Sequence, residues 1–153
     1  AYEIGLGIPA EPLFRSRDDN TTILNWSTSK TGTATNYNSS YVLADGETAY
    51  FKLANIPAGF VIGLVDGNLY FQLQRPDNTN TARIYTNGVS SSDYSHTFTA
   101  NDVIKFERVS STQQKVYIND TLIHTASNHS FSNPKPMIRK YNYPYNMDYI
   151  YVI

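Results

Sequence analysis

The sequence predicts an all-β protein, an antiparallel sandwich of about ten to twelve short strands. Three observations predict it. Apolar residues recur at every second position in run after run, the period of a strand with one buried face. Asn, Asp, Gly and Pro collect between those runs, where tight turns need them. No long stretch carries the three-and-four apolar spacing of a helix.

In chain order, residues 1–20 show no alternation. Gly5, Gly7, Pro9 and Pro12 interrupt them, and Arg15-Ser16-Arg17-Asp18-Asp19 is a charged run, so they read as an arm or linker before a sandwich domain over 21–153. Ile23-Leu24-Asn25-Trp26 is the first expected strand. Ser27 to Ser40 is a long polar loop carrying Tyr37, with Tyr41 just beyond it. Asp45-Gly46 marks a turn, and Ala49, Phe51 and Leu53 share one side of the next strand. Phe60 to Val65 is a continuous apolar run, as a central strand requires. Asp66-Gly67 is read as its turn, after which Leu69, Phe71 and Leu73 alternate with Tyr70, Gln72 and Gln74. Arg83 to Asn87 follows, with Asn87-Gly88 a strong hairpin signal.

Asn101 to Ala126 is the clearest stretch. Ile104 and Phe106 alternate with Lys105 and Glu107, and Val116 and Ile118 alternate with Lys115 and Tyr117. Asn119-Asp120 then suits a two-residue loop, since both residue types tolerate positive φ. The final Tyr149-Ile150-Tyr151-Val152-Ile153 is too apolar for a free tail and is expected to pair near the first strand.

Glu107-Arg108, the Asn119-Asp120 turn and the Leu-Ile-His-Thr finish, with GFVIGLVDGNLYFQLQ upstream, resemble a hairpin pattern of bacterial extracellular and phage domains. Those domains have the concanavalin A-like lectin/glucanase jelly roll. Asp120 stands where the pattern usually has Gly. The resemblance covers roughly residues 21–153 and implies a jelly roll. It implies less about function, because this fold hosts lectins, hydrolases and spacer modules alike.

Composition narrows the class. One domain fits 153 residues. A net charge of −1 gives no field to recruit nucleic acid, and no apolar run approaches the ~18 residues of a membrane span. The absence of Cys and the abundance of Tyr, Asn, Ser and Thr suit an extracellular, cell-surface or virion β-protein of bacterial or phage type.

The search for catalytic chemistry is mostly negative. None of the four Glu sits in the E-x-D-x-E strand of laminarinase-type glucanases, whose alternate carboxylates share one face about 5–5.5 Å apart. A scattered pair such as Glu107 with Asp102 or Asp66 stays open, although Glu107 beside Arg108 reads more simply as a cross-strand ion-pair member. His96, His124 and His129 match no zinc spacing. No resident cofactor is expected. Asp77, Asn78 and Asn80 offer oxygens that calcium accepts, but an ordinary Asx-rich turn explains them better.

What remains is a surface. With Leu69, Phe71 and Leu73 inward, Tyr70, Gln72 and Gln74 share the other face, and by the same parity so do Arg83, Tyr85 and Asn87, and Tyr117 on its own strand. If these strands lie in one sheet, rings and planar amides are arrayed as sugar recognition uses them. The plain alternative is that antiparallel sheets expose such residues to water. Tyr37, Tyr41 and Trp26 are further candidates, Trp26 suiting the core at least as well. The expectation is a non-catalytic module that binds a glycan or cell-surface polysaccharide on a bacterial surface protein or phage fibre. The alternatives are a structural fibre-tip, decoration or adhesin spacer, a homo-oligomer if at a fibre tip, and, further off, a glycan hydrolase or lyase.

Overall fold

The structure, a computed structural model, describes residues 22–24, 35–53, 59–76, 79–140 and 147–152. Among them are twelve strands and no helix. The first sheet runs in the order β1 (Thr22–Leu24), β12 (Met147–Val152), β3 (Thr48–Leu53), β8 (Val103–Ser110), β9 (Gln113–Ile118) and β10 (Thr121–Ser127). The second runs β2 (Thr35–Asn38), β11 (Lys135–Lys140), β4 (Val61–Asp66), β5 (Leu69–Gln74), β6 (Thr81–Thr86) and β7 (Val89–Ser95). Every pairing is antiparallel. The sandwich closes as the last residues foretold, with Ile23 of β1 opposite Tyr151 of β12. The predicted arm and the Asp77-Asn78 part of the suggested calcium site lie outside the described residues.

The two sheets meet through alternation. Phe51, Ile104, Phe106, Val116 and Ile118 point inward from the first, and Ile62, Leu64, Phe71, Leu73, Ala82 and Ile84 from the second. Phe106 joins the layers, its ring 5.8 Å from Phe51 and 5.4 Å from Phe71, both edge-to-face. That geometry sets ring edges against ring faces, as the aromatic quadrupole favours. Leu69 departs from the expected parity: at the first position of β5, beside the turn, it is 37% exposed.

Turn chemistry fixes the register. Asn119 and Asp120 both have positive φ, 48° and 69°, so the predicted I′ hairpin between Ile118 and Thr121 forms. The Asn119 side chain adds two ties, accepting from the Val103 N–H at 2.9 Å and donating to Asp102 at 2.8 Å. Burial pushes the Asp102 carboxyl up, but the Thr99 N–H, His96 and Asn119 together outweigh it and hold the group below the usual carboxylate range. The β4–β5 turn falls one residue later than the sequence implied. Asp66 pairs with Leu69, and Gly67 takes the positive φ at the first loop position, as a II′ turn needs.

Arg108 follows the inward parity of Ile104 and Phe106: it is 8% exposed, pairs with Asp45 at 2.7 Å and donates to the Leu43 carbonyl at 2.5 Å. A β-bulge follows it, where the β8–β9 register shifts between Arg108 and Ser110. Glu107, on the outer face, instead accepts from the Tyr117 hydroxyl at 2.5 Å.

Candidate functional site

The outer face of the second sheet gathers half of the predicted residues into a grid. Register alone places them. One row across the strands is Met137, Gly63, Gln72 and Tyr85; the next is Arg139, Val61, Gln74, Arg83 and Asp93; the third, on the other side, is Lys135, Val65 and Tyr70. Tyr70, Gln72, Gln74, Arg83 and Tyr85 therefore share one face. Parity in a strand has period two, so no rearrangement short of a register slip could separate them.

The centre of the grid is Gly63. A Cβ there would lie 2.2 Å from the Phe71 carbonyl oxygen and 2.7 Å from the Gln72 Cα, so only glycine allows β5 to approach this closely. Arg139 and Tyr70 lie diagonally either side of it, and the guanidinium carbon sits 5.7 Å from the Tyr70 ring centroid. The two side chains thus meet over the glycine. Around it, outward-facing Val61, Met137 and Gln72 are buried. Among the described residues the Gln72 side-chain oxygen has no hydrogen-bond donor. An acceptor buried without a partner is costly, and a structure keeps few of them.

Two of the predicted residues are held by neighbours. Arg83 makes a fork to Asp93, Nε to Oδ1 and Nη2 to Oδ2, both at 2.7 Å. The Arg83 bond is the main reason that Asp93 ionises below the usual carboxylate range. Two of the five guanidinium N–H groups are spent on that fork, and Tyr85 is a further hydrogen-bonding neighbour of the guanidinium. Asn87 is a strut: its Oδ1 accepts from the Tyr70 N–H at 2.8 Å, and its amide nitrogen meets His129 at 3.3 Å. Its positive φ of 50° makes the turn that carries this contact.

The remaining candidates lie elsewhere. Tyr117 is on the outer face of the first sheet, on the opposite side of the sandwich, so the expectation that its strand shares a sheet with Tyr70 and Tyr85 fails. The error is one of topology. Alternation says which residues share a strand face but not which sheet that strand joins. Burial and then the Glu107 carboxylate push the Tyr117 hydroxyl up to about 12. Tyr41 packs against the core and donates to Glu47 at 2.7 Å. Trp26 and the side chain of Tyr37 lie outside the described residues.

The scattered carboxylates do not converge. Asp66 ends β4 in the second sheet and accepts from the Ser132 and Asn133 N–H groups, whereas Glu107 faces outward from the first sheet. Asp102 is engaged with His96 and Asn119. Among the described residues no group of three or more His, Asp or Glu could hold a metal, and no helix is long and apolar enough to cross a membrane.

Sequence reasoning missed Gly63, Asp93, Lys135 and Arg139. Gly63 had a signal, an isolated glycine inside an apolar strand, which marks close backbone approach. Asp93 sits in a serine-rich stretch without alternation, and nothing local points to it.

No family model and no curated protein matches the chain. Solved structures do. A carbohydrate-binding module, CBM66 from Bacillus subtilis, superposes with a TM-score of 0.59 at 14% identity, over 85% of this chain and 92% of its own. The Caenorhabditis elegans galectin LEC-6 gives 0.59 at 10% identity, over 90% and 98%. The fold is the lectin/glucanase-like jelly roll. The Crh5 transglycosylase in complex with NAG shares it, with a TM-score of 0.64 at 8% identity over 88% of this chain and 78% of that one. At such identities the jelly roll is what is held in common, and site chemistry must be read from this chain's own residues.

Proposed function

We propose that this chain is a non-catalytic carbohydrate-binding module whose ligand lies on the outer face of the second sheet, across Tyr70, Gln72, Gln74, Arg83 and Tyr85. The observation that carries the reading is the grid itself. Rings, amides and a guanidinium already oriented by Asp93 stand on one face, and among the described residues one amide oxygen lacks a donor. A saccharide presents C–H faces that pack on rings and hydroxyls that both donate and accept. Groups held in place before binding lose little entropy on contact, which matters for a weakly hydrophobic ligand. A carbohydrate-binding module and a galectin of the same fold support the reading by analogy.

The setting that fits is extracellular: attachment to a glycan or cell-surface polysaccharide, as part of a bacterial surface protein or phage fibre. A glycan array probed with wild type and with Tyr70→Ala/Tyr85→Ala tests it. Binding by wild type and loss in the double variant is the expected result. An array that stays blank for wild type removes the proposal.

A second reading, a module that contacts only protein, draws on Val89 at 71% and Leu122 at 48% exposure, large apolar side chains on the edge strands β7 and β10. Light scattering separates the two. A stable oligomer disrupted by Val89→Lys or Leu122→Lys favours protein contact, and a sugar-binding monomer does not.

A further inference from the structure

We propose that a cleft at one end of this face is a second subsite, one that takes an uncharged sugar residue and makes the ligand an oligosaccharide. The inference rests on the carbohydrate-binding reading and adds the ligand's charge class and minimum size. The cleft has a volume of about 510 Å³ and is lined by Asn38 of β2, Val42 between β2 and β3, Val65 and Asp66 at the end of β4, Asn133 in the loop before β11, and Lys135 at the start of β11. Lys135 and Val65 belong to the same row as Tyr70, so the cleft opens onto the face already described.

Its walls are built. The Asp66 carboxylate fastens the loop before β11 by accepting from the Ser132 N–H at 2.6 Å and the Asn133 N–H at 2.9 Å, both through Oδ2. The other Asp66 oxygen has no donor among the described residues, and the Lys135 ammonium has no carboxylate within ion-pair reach there. The Asn38 and Asn133 amides each offer a donor and an acceptor. Val42, 39% exposed, and Val65 supply an apolar patch beside them.

Charge decides the ligand class. An anionic sugar would satisfy Lys135 but face the Asp66 carboxylate, and a cationic one would do the reverse. A neutral polyol suits both, because each hydroxyl donates to a carboxylate and accepts from an ammonium. Size follows from the sheet. From β2 at the cleft to β6 at Tyr85 are four inter-strand steps of about 4.8 Å each, about 19 Å in all. A single sugar ring cannot touch both ends, so a ligand that does is a chain.

The test is calorimetric titration with neutral gluco-, manno-, galacto- and fructo-oligosaccharides of one to six units, alongside uronic-acid and sialylated glycans. Wild type is expected to bind one neutral series with affinity that rises with length. Lys135→Met and Asn133→Ala, on different elements, are each expected to cost about tenfold for the hexamer, with the melting temperature unchanged. Length-independent affinity, or hexamer binding untouched in both variants, overturns the subsite while leaving the carbohydrate-binding reading in place. Tighter binding of acidic glycans that Lys135→Met abolishes overturns the neutral assignment. No glycan bound by wild type overturns both.

Discussion

The two outer faces of the sandwich carry similar residues and use them differently. On the first sheet the polar groups answer one another: Tyr117 donates to Glu107, Lys105 contacts Asp120 and lies 5.0 Å from the Tyr50 ring, and Lys52 reaches the Ala100 carbonyl. On the second sheet, among the described residues, the buried Gln72 beside Gly63 keeps an oxygen without a donor, and a cleft holds a lysine without a counter-ion. Composition and alternation do not separate these faces. What sets the second face apart is its cleft and, among the described residues, a buried amide oxygen without a donor. A face whose groups are paired internally gains little from a ligand, since each new bond replaces an old one.

That contrast can be broken at several points. The largest effect is expected from Gly63→Ala on the second face. Its Cβ would meet backbone on β5 rather than a yielding side chain, so a loss of about 3 kcal/mol in denaturant unfolding is expected. A variant that melts like wild type would mean that β4 and β5 do not approach as described.

On the first sheet, Asn119→Ala removes two hydrogen bonds and puts alanine at a φ of 48°, for a loss of about 2 kcal/mol. Its neighbour behaves oppositely. Asp120 has an 83% exposed side chain whose contact is Lys105, and surface pairs contribute little. Asp120→Gly at a φ of 69° should be neutral or stabilising by about 0.5–1 kcal/mol by the same assay. A marked drop would show that the carboxylate matters beyond the turn.

The smallest effect is a titration. Tyr117 ionises near 12 because burial and the Glu107 carboxylate disfavour the phenolate. A folded-state value above the unfolded one of about 10 means that this contribution is full below about pH 10 and is lost as pH rises through 12. Ultraviolet titration of wild type against Tyr117→Phe should remove one tyrosine from the late-ionising group. Glu107→Gln should move that tyrosine earlier, and no movement would detach the shift from Glu107.

The strands, the I′ turn at Asn119-Asp120 and the antiparallel return of the last strand were readable because each depends on a few consecutive residues. The grid of Tyr70, Gln72, Gln74, Arg83 and Tyr85 was readable for the same reason, since parity carries along a hairpin. Tyr117 was misplaced because sheet membership is set by long-range pairing that no local pattern encodes. Glu107 was read as a cross-strand ion-pair member, and its cross-strand partner is the Tyr117 hydroxyl, a choice that alternation does not encode. Asp93, Arg139 and Lys135 reach the site only through neighbouring strands, so their part could not be read from sequence.

The most direct measurement is a backbone amide titration by NMR of isotope-labelled protein with the tightest-binding neutral oligosaccharide from the array. Shifts are expected along Val61–Val65, Tyr70–Gln74, Arg83–Tyr85 and Lys135–Arg139, with Gln113–Ile118 of the first sheet unmoved. Perturbations centred on Lys115 and Tyr117 instead would contradict the account.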